Sequence, residues 1–403
     1  MNMAARFAFL SRPHLRAAAL ALGVIALLVL VSIPFSSWLV ERHLDELIET
    51  PFAIKHQGEW IRRQAFARDN LLSVYGSSEM EVVQPNRPDE FFHPMPTGFR
   101  VCPVGAPGNT TVLIAQKIAS IGDVIRGKKI AIIVSASWFC RPGVPDDSYA
   151  GNFSPLQAGS IVLHDELDPA LRRRFIRRML DFPDSLSAHP LLDSTLRRAE
   201  EPGWWPAIVR TVVRPLLWAS WAELNWEDHF GTAIAELGFM KTKPPHAGTR
   251  NEGTDYDRLI ARLEAEEPPK EELDVVPEGG KGDAKFIEDM NASMEWGDFE
   301  LLLDTVKHFQ MQAMVISAPL PASYYERHDV SGAARGHVYR RIKQTCAARG
   351  IPAVDFAGHE LDDEFTLPRT SHFSDKGWLY VDRVLDDFYH DRLPRPQPAW
   401  DAP

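Results

Sequence analysis

Apolar and polar positions divide the chain into an anchor, a connecting segment and a long patterned region. Residues 17–35 carry no charge and are broken only by Gly23, Ser32 and Pro34. At about 1.5 Å of rise per residue a helical run of that length nearly crosses an apolar layer of about 30 Å. Trp38, Leu39 and Val40 carry it on to an interfacial aromatic. Downstream, short apolar runs at 71–75, 100–104, 129–134, 311–317 and 351–356 read as strands. Amphipathic stretches at 110–121, 299–309, 336–349 and 379–389 read as helices. Near-continuous apolar strands alternating with helices predict an α/β fold, a parallel sheet with helices on both faces. Residues from about 166 to 290 interrupt that alternation and predict a helical insertion.

The predicted organisation is therefore a cytoplasmic N-terminus at 1–16, a single transmembrane helix at 17–40, a polar helical stalk at 41–70, and an extracytoplasmic domain at 71–403. Arg6, Arg12 and Arg16 precede the apolar run, and Glu41, Asp45, Glu46 and Glu49 follow it. Cationic flanks stay in the cytoplasm, so the domain belongs outside it. The run is longer than the apolar region of a signal peptide and no small-x-small cleavage site follows it, which favours an uncleaved anchor. Trp204, Trp205, Trp218, Trp221 and Trp226 crowd the insertion. They read either as its own core or as a surface resting on the bilayer or a membrane-embedded partner. Residues 264–284 are charged and rich in Pro and Gly, and read as a solvated loop or a linker inside the domain.

A formal net charge of -11 argues against a nucleic-acid partner. Cys102, Cys140 and Cys346 make neither a disulfide framework nor a metal cluster, although Cys102 and Cys140 could bridge if their strands are neighbours. No nucleotide fingerprint or flavin-like glycine pattern appears, so no cofactor and no metal is assigned.

The candidate chemistry lies where predicted strands end. V-Y-G-S-S-E-M at 74–80 follows the first strand, and Gly76 permits a turn that would expose Ser78 as a nucleophile. T-S-H-F-S-D-K-G-W at 370–378 precedes the last helix and supplies His372 as its base. A loop there can reach across the carboxyl edge of the sheet, so Ser78 Oγ and His372 Nε2 should lie within hydrogen-bond reach. P-V-G-A-P-G-N-T-T offers Gly108 and Asn109, and S-A-S-W-F offers Ser137, as oxyanion donors.

The order of these blocks resembles that of the SGNH (GDSL-like) hydrolases, and more closely the DltD family of D-alanyl transfer proteins. The resemblance spans nearly the whole chain: the anchor, G-S-S-E at 76–79, G-K-K-I-A-I-I-V-S-A-S-W-F at 127–139, N-F-S-P-L-Q at 152–157, S-M-E-W-G-D-F-E-L-L-L-D at 293–304, A-P-L-P-A-S-Y-Y at 318–325 and H-F-S-D-K-G-W at 372–378. It implies a membrane-anchored serine–histidine acyltransferase or thioesterase-like protein that moves D-alanyl groups onto teichoic acid or an analogous envelope glycopolymer. It also implies a membrane-bound O-acyltransferase (DltB-like) as partner, with a D-alanyl carrier protein acting indirectly. Two other readings use the same residues: an O-acetyltransferase or esterase of an exopolysaccharide, and a non-catalytic scaffold for a membrane O-acyltransferase. The chain departs from the family at Arg369, where an aspartate three residues before the histidine is usual, and at Ser137, where glutamine is usual. Asp375, Asp363 and Asp362 are the candidates to orient the imidazole in its place.

Overall fold

Five parallel strands form one sheet in the order β2-β1-β3-β4-β5. The structure, a computed structural model, describes residues 13–199, 214–242, 255–266, 275–368 and 370–393. Helix α1 (Pro13–Arg42) is the apolar N-terminal element, long enough to cross a membrane. Helices α2 (Leu44–Glu49) and α3 (Trp60–Phe66) lead to β1 (Leu71–Tyr75). Next come β2 (Arg100–Val104), α4 (Thr111–Ala119) and β3 (Lys129–Ser135). The region between β3 and β4 includes α5 (Pro155–Leu163), the long α6 (Arg214–Thr242) and α7 (Glu295–His308). The chain then returns through β4 (Gln312–Ala318), α8 (Gly332–Ala347), β5 (Ala353–Asp355) and α9 (Asp375–Tyr389).

Successive strand residues point to opposite faces, so each apolar strand feeds two cores. Ile130, Ile132 and Val134 of β3 pack with Val112 and Ile118 of α4, Phe299 and Leu302 of α7, and Val338 and Ile342 of α8. Ala131 and Ile133 face the other way, onto Trp378, Val381 and Leu385 of α9 with Phe92 and Phe99. The sheet is thus covered on both faces, as continuous apolar strands require.

Several details differ from the sequence expectation. Residues 41–70 are not a free-standing stalk. Leu44, Leu47 and Ile48 of α2 and Ile61, Ala65 and Phe66 of α3 are buried in the main core, because their spacing gives each short helix one apolar face. Strand β5 is shorter than 351–356, since Ile351 N–H still bonds back to Cys346 O at the end of α8. Cys102 and Cys140 are unbridged thiols. Within the insertion, Trp204 and Trp205 and part of the 264–284 loop lie outside the described residues. Trp221 of α6 seats its indole on Ser160 Oγ of α5 at 2.8 Å, which matches the core reading for that tryptophan.

Candidate active site

All the candidate chemistry sits at loops that leave the carboxyl edge of the sheet. Gly76 N–H still bonds Val104 O at 2.9 Å, after which the chain turns into a single 3-10 turn over Ser78–Met80. Gly105, opposite, touches that turn so closely that a Cβ there would lie 2.7 Å from Ser77 O and 2.8 Å from the Gly76 carbonyl carbon. Only glycine permits this approach. Across the edge, a small hairpin carries His372. Thr366 and Phe373 bridge antiparallel, and Leu367 N–H donates to His372 O at 2.8 Å.

These loops bring Ser78 Oγ to 2.7 Å from His372 Nε2. Both side chains are half-buried. Burial holds the imidazole below its usual pKa of 6.5, so it is neutral at pH 7 and able to accept the hydroxyl proton. Gly108 and Ser137 also line the cleft above the pair. Gly108 has φ of +80°, with Ser148 Cβ 2.8 Å from where a Cβ would sit. Ser137 Oγ shares a hydrogen bond of 2.8 Å with Ser135 Oγ, which donates to Ser371 Oγ at 3.2 Å, next to His372.

Asn109 is placed differently from the expectation. It is fully buried, its N–H bonds Ala106 O at 3.0 Å, and its amide donates to Gly76 O at 2.5 Å. Its Oδ1 accepts from Lys117 Nζ at 3.0 Å. Asn109 is therefore a brace beneath the serine turn, and its donors face away from the cleft. Nor does the structure bring the three candidate aspartates to the imidazole. Asp375 accepts from Asn86 N–H at 2.9 Å, Asp362 pairs with Lys376 Nζ at 2.7 Å, and Asp363 is exposed. Among the described residues none of them bonds His372. Arg369 lies outside the described residues.

Sequence reading missed the support around the turn. Glu79, buried, accepts Ser77 N–H at 2.7 Å. His56, also buried, accepts Gly105 N–H on Nδ1 at 3.1 Å. Burial and the adjacent Lys55 ammonium keep that imidazole well below 6.5, hence neutral as an acceptor. Gln157 and Ser154 of the N-F-S-P-L-Q block hold the His56–Gln57 carbonyls, with Gln157 Nε2 2.9 Å from each and Ser154 Oγ 2.7 Å from Gln57 O. Glu295 of the S-M-E-W-G-D block takes Thr111 N–H at 2.9 Å, capping α4 just after the glycine loop. The only sequence signal for these roles is polar residue types inside otherwise apolar blocks.

Asn109→Ala leaves Gly76 O and Lys117 Nζ buried without that partner, and each orphaned group costs about 1–3 kcal/mol. The urea midpoint should fall by an amount equivalent to about 2–5 kcal/mol. An unchanged midpoint would rule out the brace. For Glu79, burial raises the carboxyl from 4.5 to about 7. The folded protein thus keeps a proton that the unfolded chain releases between those pH values. That stabilising contribution is full below 4.5 and lost as pH rises through about 7. Glu79→Gln stays neutral throughout, so its stability relative to the parent should climb across that window and level off above it. The climb is a few kcal/mol at most, at about 1.4 kcal/mol per pH unit. Denaturation curves taken through that window measure it.

The cleft over Ser78 and His372 has a volume of about 1080 Å³. Trp138, Phe286, Tyr324 and Tyr325 supply aromatic walls, and the exposed Arg141 and Arg327 supply positive charge. Comparison with known proteins gives a match to the family model described as DltD protein over residues 52–267 and 280–390. Protein DltD of Bacillus subtilis (strain 168) is 26% identical over 379 residues, covering 89% of this chain and 93% of that protein. Protein DltD of Staphylococcus aureus (strain NCTC 8325 / PS 47) is 22% identical over 365 residues, covering 86% and 87%. Protein DltD of Lacticaseibacillus rhamnosus is 20% identical over 354 residues, covering 82% and 80%. With the family model matched along both halves of the sheet and the relatives matched nearly end to end, the chain belongs to the DltD family.

Proposed function

We propose that the protein is a membrane-anchored extracytoplasmic acyltransferase that moves D-alanyl groups onto teichoic acid or an analogous envelope glycopolymer. The observation that carries this reading is the 2.7 Å contact between Ser78 Oγ and His372 Nε2, open to the cleft of a DltD-family chain. Ser78 Oγ attacks the acyl carbonyl carbon of the donor while His372 Nε2 takes its proton. Gly108 and Ser137, which line the cleft beside Ser78, are the candidate donors to the oxyanion that forms. The intermediate collapses to an acyl-serine as His372 returns the proton to the leaving group. An acceptor hydroxyl, deprotonated by His372, then attacks the acyl-serine, and the proton returns to Ser78.

A neutral imidazole suits both halves of this cycle. Arg141 and Arg327 at the cleft suit an acceptor that carries phosphates, since guanidinium groups bind phosphate through paired hydrogen bonds. The partner that presents the D-alanyl donor is a membrane-bound O-acyltransferase of the DltB type, with a D-alanyl carrier protein supplying it indirectly from the other side of the membrane. The anchor α1 sets the orientation, with its arginine-flanked end cytoplasmic.

Mass spectrometry of the envelope polymer tests this. Cells lacking the gene should lose alanyl esters, and the wild-type chain should restore them. Acetyl adducts in place of alanyl would overturn the D-alanyl assignment in favour of an exopolysaccharide O-acetyltransferase, leaving the serine–histidine site standing.

A further inference from the structure

The insertion contributes a second element at the level of the membrane anchor. Helix α6 lies against α1, and Trp226 Nε1–H donates to Ser32 Oγ at 2.9 Å. On α1 the outer boundary is marked by Trp38, 55% exposed, with the Arg42 guanidinium 5.9 Å from its ring centre. Tryptophan and arginine at a helix end are interfacial residues. Ser32 stands six residues before Trp38, about 9 Å deeper along the helix axis at about 1.5 Å per residue. Trp226 therefore reaches below the headgroup boundary.

The exposed side of α6 changes character past Glu227. Glu223 and Glu227 are exposed carboxylates on either side of Trp226. Beyond them, Phe230 stacks on Trp226 with ring centres 5.4 Å apart and planes 7° from parallel. Ile234 and Leu237 follow on the same face, 55% and 44% exposed. The i, i+4, i+7 spacing makes one apolar stripe. The opposite side of the helix is pinned to the domain. Asp228 is buried and accepts Glu59 and Trp60 N–H, each at 2.9 Å, and Thr232 and Ala233 are buried beside it. The stripe is thus turned outward by a fixed helix and cannot roll onto the domain's own core.

We propose that the Phe230–Leu237 segment of α6 enters the outer leaflet beside α1, with lipid acyl chains covering its apolar stripe. Continuity with the anchor is the reason to assign lipid: Trp226 joins the stripe to a residue of the transmembrane helix at acyl-chain depth. A domain on one helix can swivel about it, whereas two adjacent membrane contacts fix its tilt. The mouth of the cleft is then held at one height and one direction relative to the bilayer.

The test uses the full chain, purified and reconstituted in phosphatidylcholine–phosphatidylglycerol vesicles. In a Cys140→Ser background, nitroxide labels go on Ile234→Cys, Leu237→Cys and, as a water-exposed control, Val83→Cys; Val83 is 78% exposed. Labels at 234 and 237 should collide several-fold less with a water-soluble nickel chelate than the label at 83, and at least as often with oxygen. Nickel access equal to that at 83 places the stripe in water and overturns the proposal. Shielding from both quenchers means a protein covers the stripe, and also overturns it. Trp226→Phe gives a second readout that needs no label. The emission lost in that variant should be quenched by lipids brominated high on the acyl chain, and absence of quenching counts against insertion.

Discussion

Ser78→Ala should lower acyl transfer by on the order of 10⁴–10⁶-fold, the range seen when a serine nucleophile is removed from a serine–histidine site. The hydroxyl is the atom that forms the covalent bond, and nothing else at the turn replaces it: Ser77 is buried, with its hydroxyl donating to Ala106 O at 3.3 Å. Stability should change by no more than about 0.5 kcal/mol, because Ser78 is half-exposed and among the described residues its hydroxyl bonds His372 alone. Alkali-labile D-alanine on the envelope polymer is the readout, in cells that carry the variant at its native locus and contain normal amounts of the protein. Full acylation by Ser78→Ala would remove the enzymatic reading and leave a scaffold for a membrane acyltransferase.

The second large effect is on the base. His372→Gln keeps a polar side chain in the hairpin but cannot cycle a proton, and should lose about 10²–10⁴-fold. The pH profile gives an independent check. The imidazole acts as a base only when neutral, and burial lowers its pKa below 6.5. Activity should therefore rise with pH through a midpoint below 6.5 and be flat by pH 7. Esterase turnover of an activated ester measures this, and the rising limb should vanish in the glutamine variant. A midpoint above 6.5 would mean that a carboxylate stabilises the imidazolium after all, as in a complete triad. Among the described residues no aspartate candidate does so, because Asp375 and Asp362 already serve Asn86 and Lys376.

Much of this arrangement is legible in the chain itself. Strand order along the sequence, the apolar anchor and the turn at Gly76–Ser78 all depend on local pattern. Apolar runs set strands, periodicity sets helices, and glycine marks the sharp turns. The serine and the histidine could be named because both stand at strand-to-helix junctions, where open parallel sheets gather their sites. Asn109 shows where such reading stops. Its sequence neighbourhood, a glycine loop before a helix, is equally compatible with an oxyanion donor and a buried brace. Lys117, from the far end of α4, decides between them by taking its Oδ1. His56 shows the same limit, since nothing in the short helix Ala53–Gln57 that carries it signals that it meets Gly105 from 49 positions away.

By itself, then, the sequence determined the parallel α/β sheet, the apolar N-terminal helix and the two loops that carry Ser78 and His372. These rest on interactions between near neighbours or on burial of whole apolar segments. Only the tertiary structure decided that the Asn109 donors are bonded away from the cleft, which carboxylates are occupied elsewhere, and that residues 44–66 belong to the core. It also decided that α6 stands beside the anchor. Each of these depends on pairs far apart in the chain, such as Ser78 with His372 and Ser32 with Trp226. Side chains of one type are interchangeable in a local pattern, but a folded chain gives each donor and acceptor one particular partner.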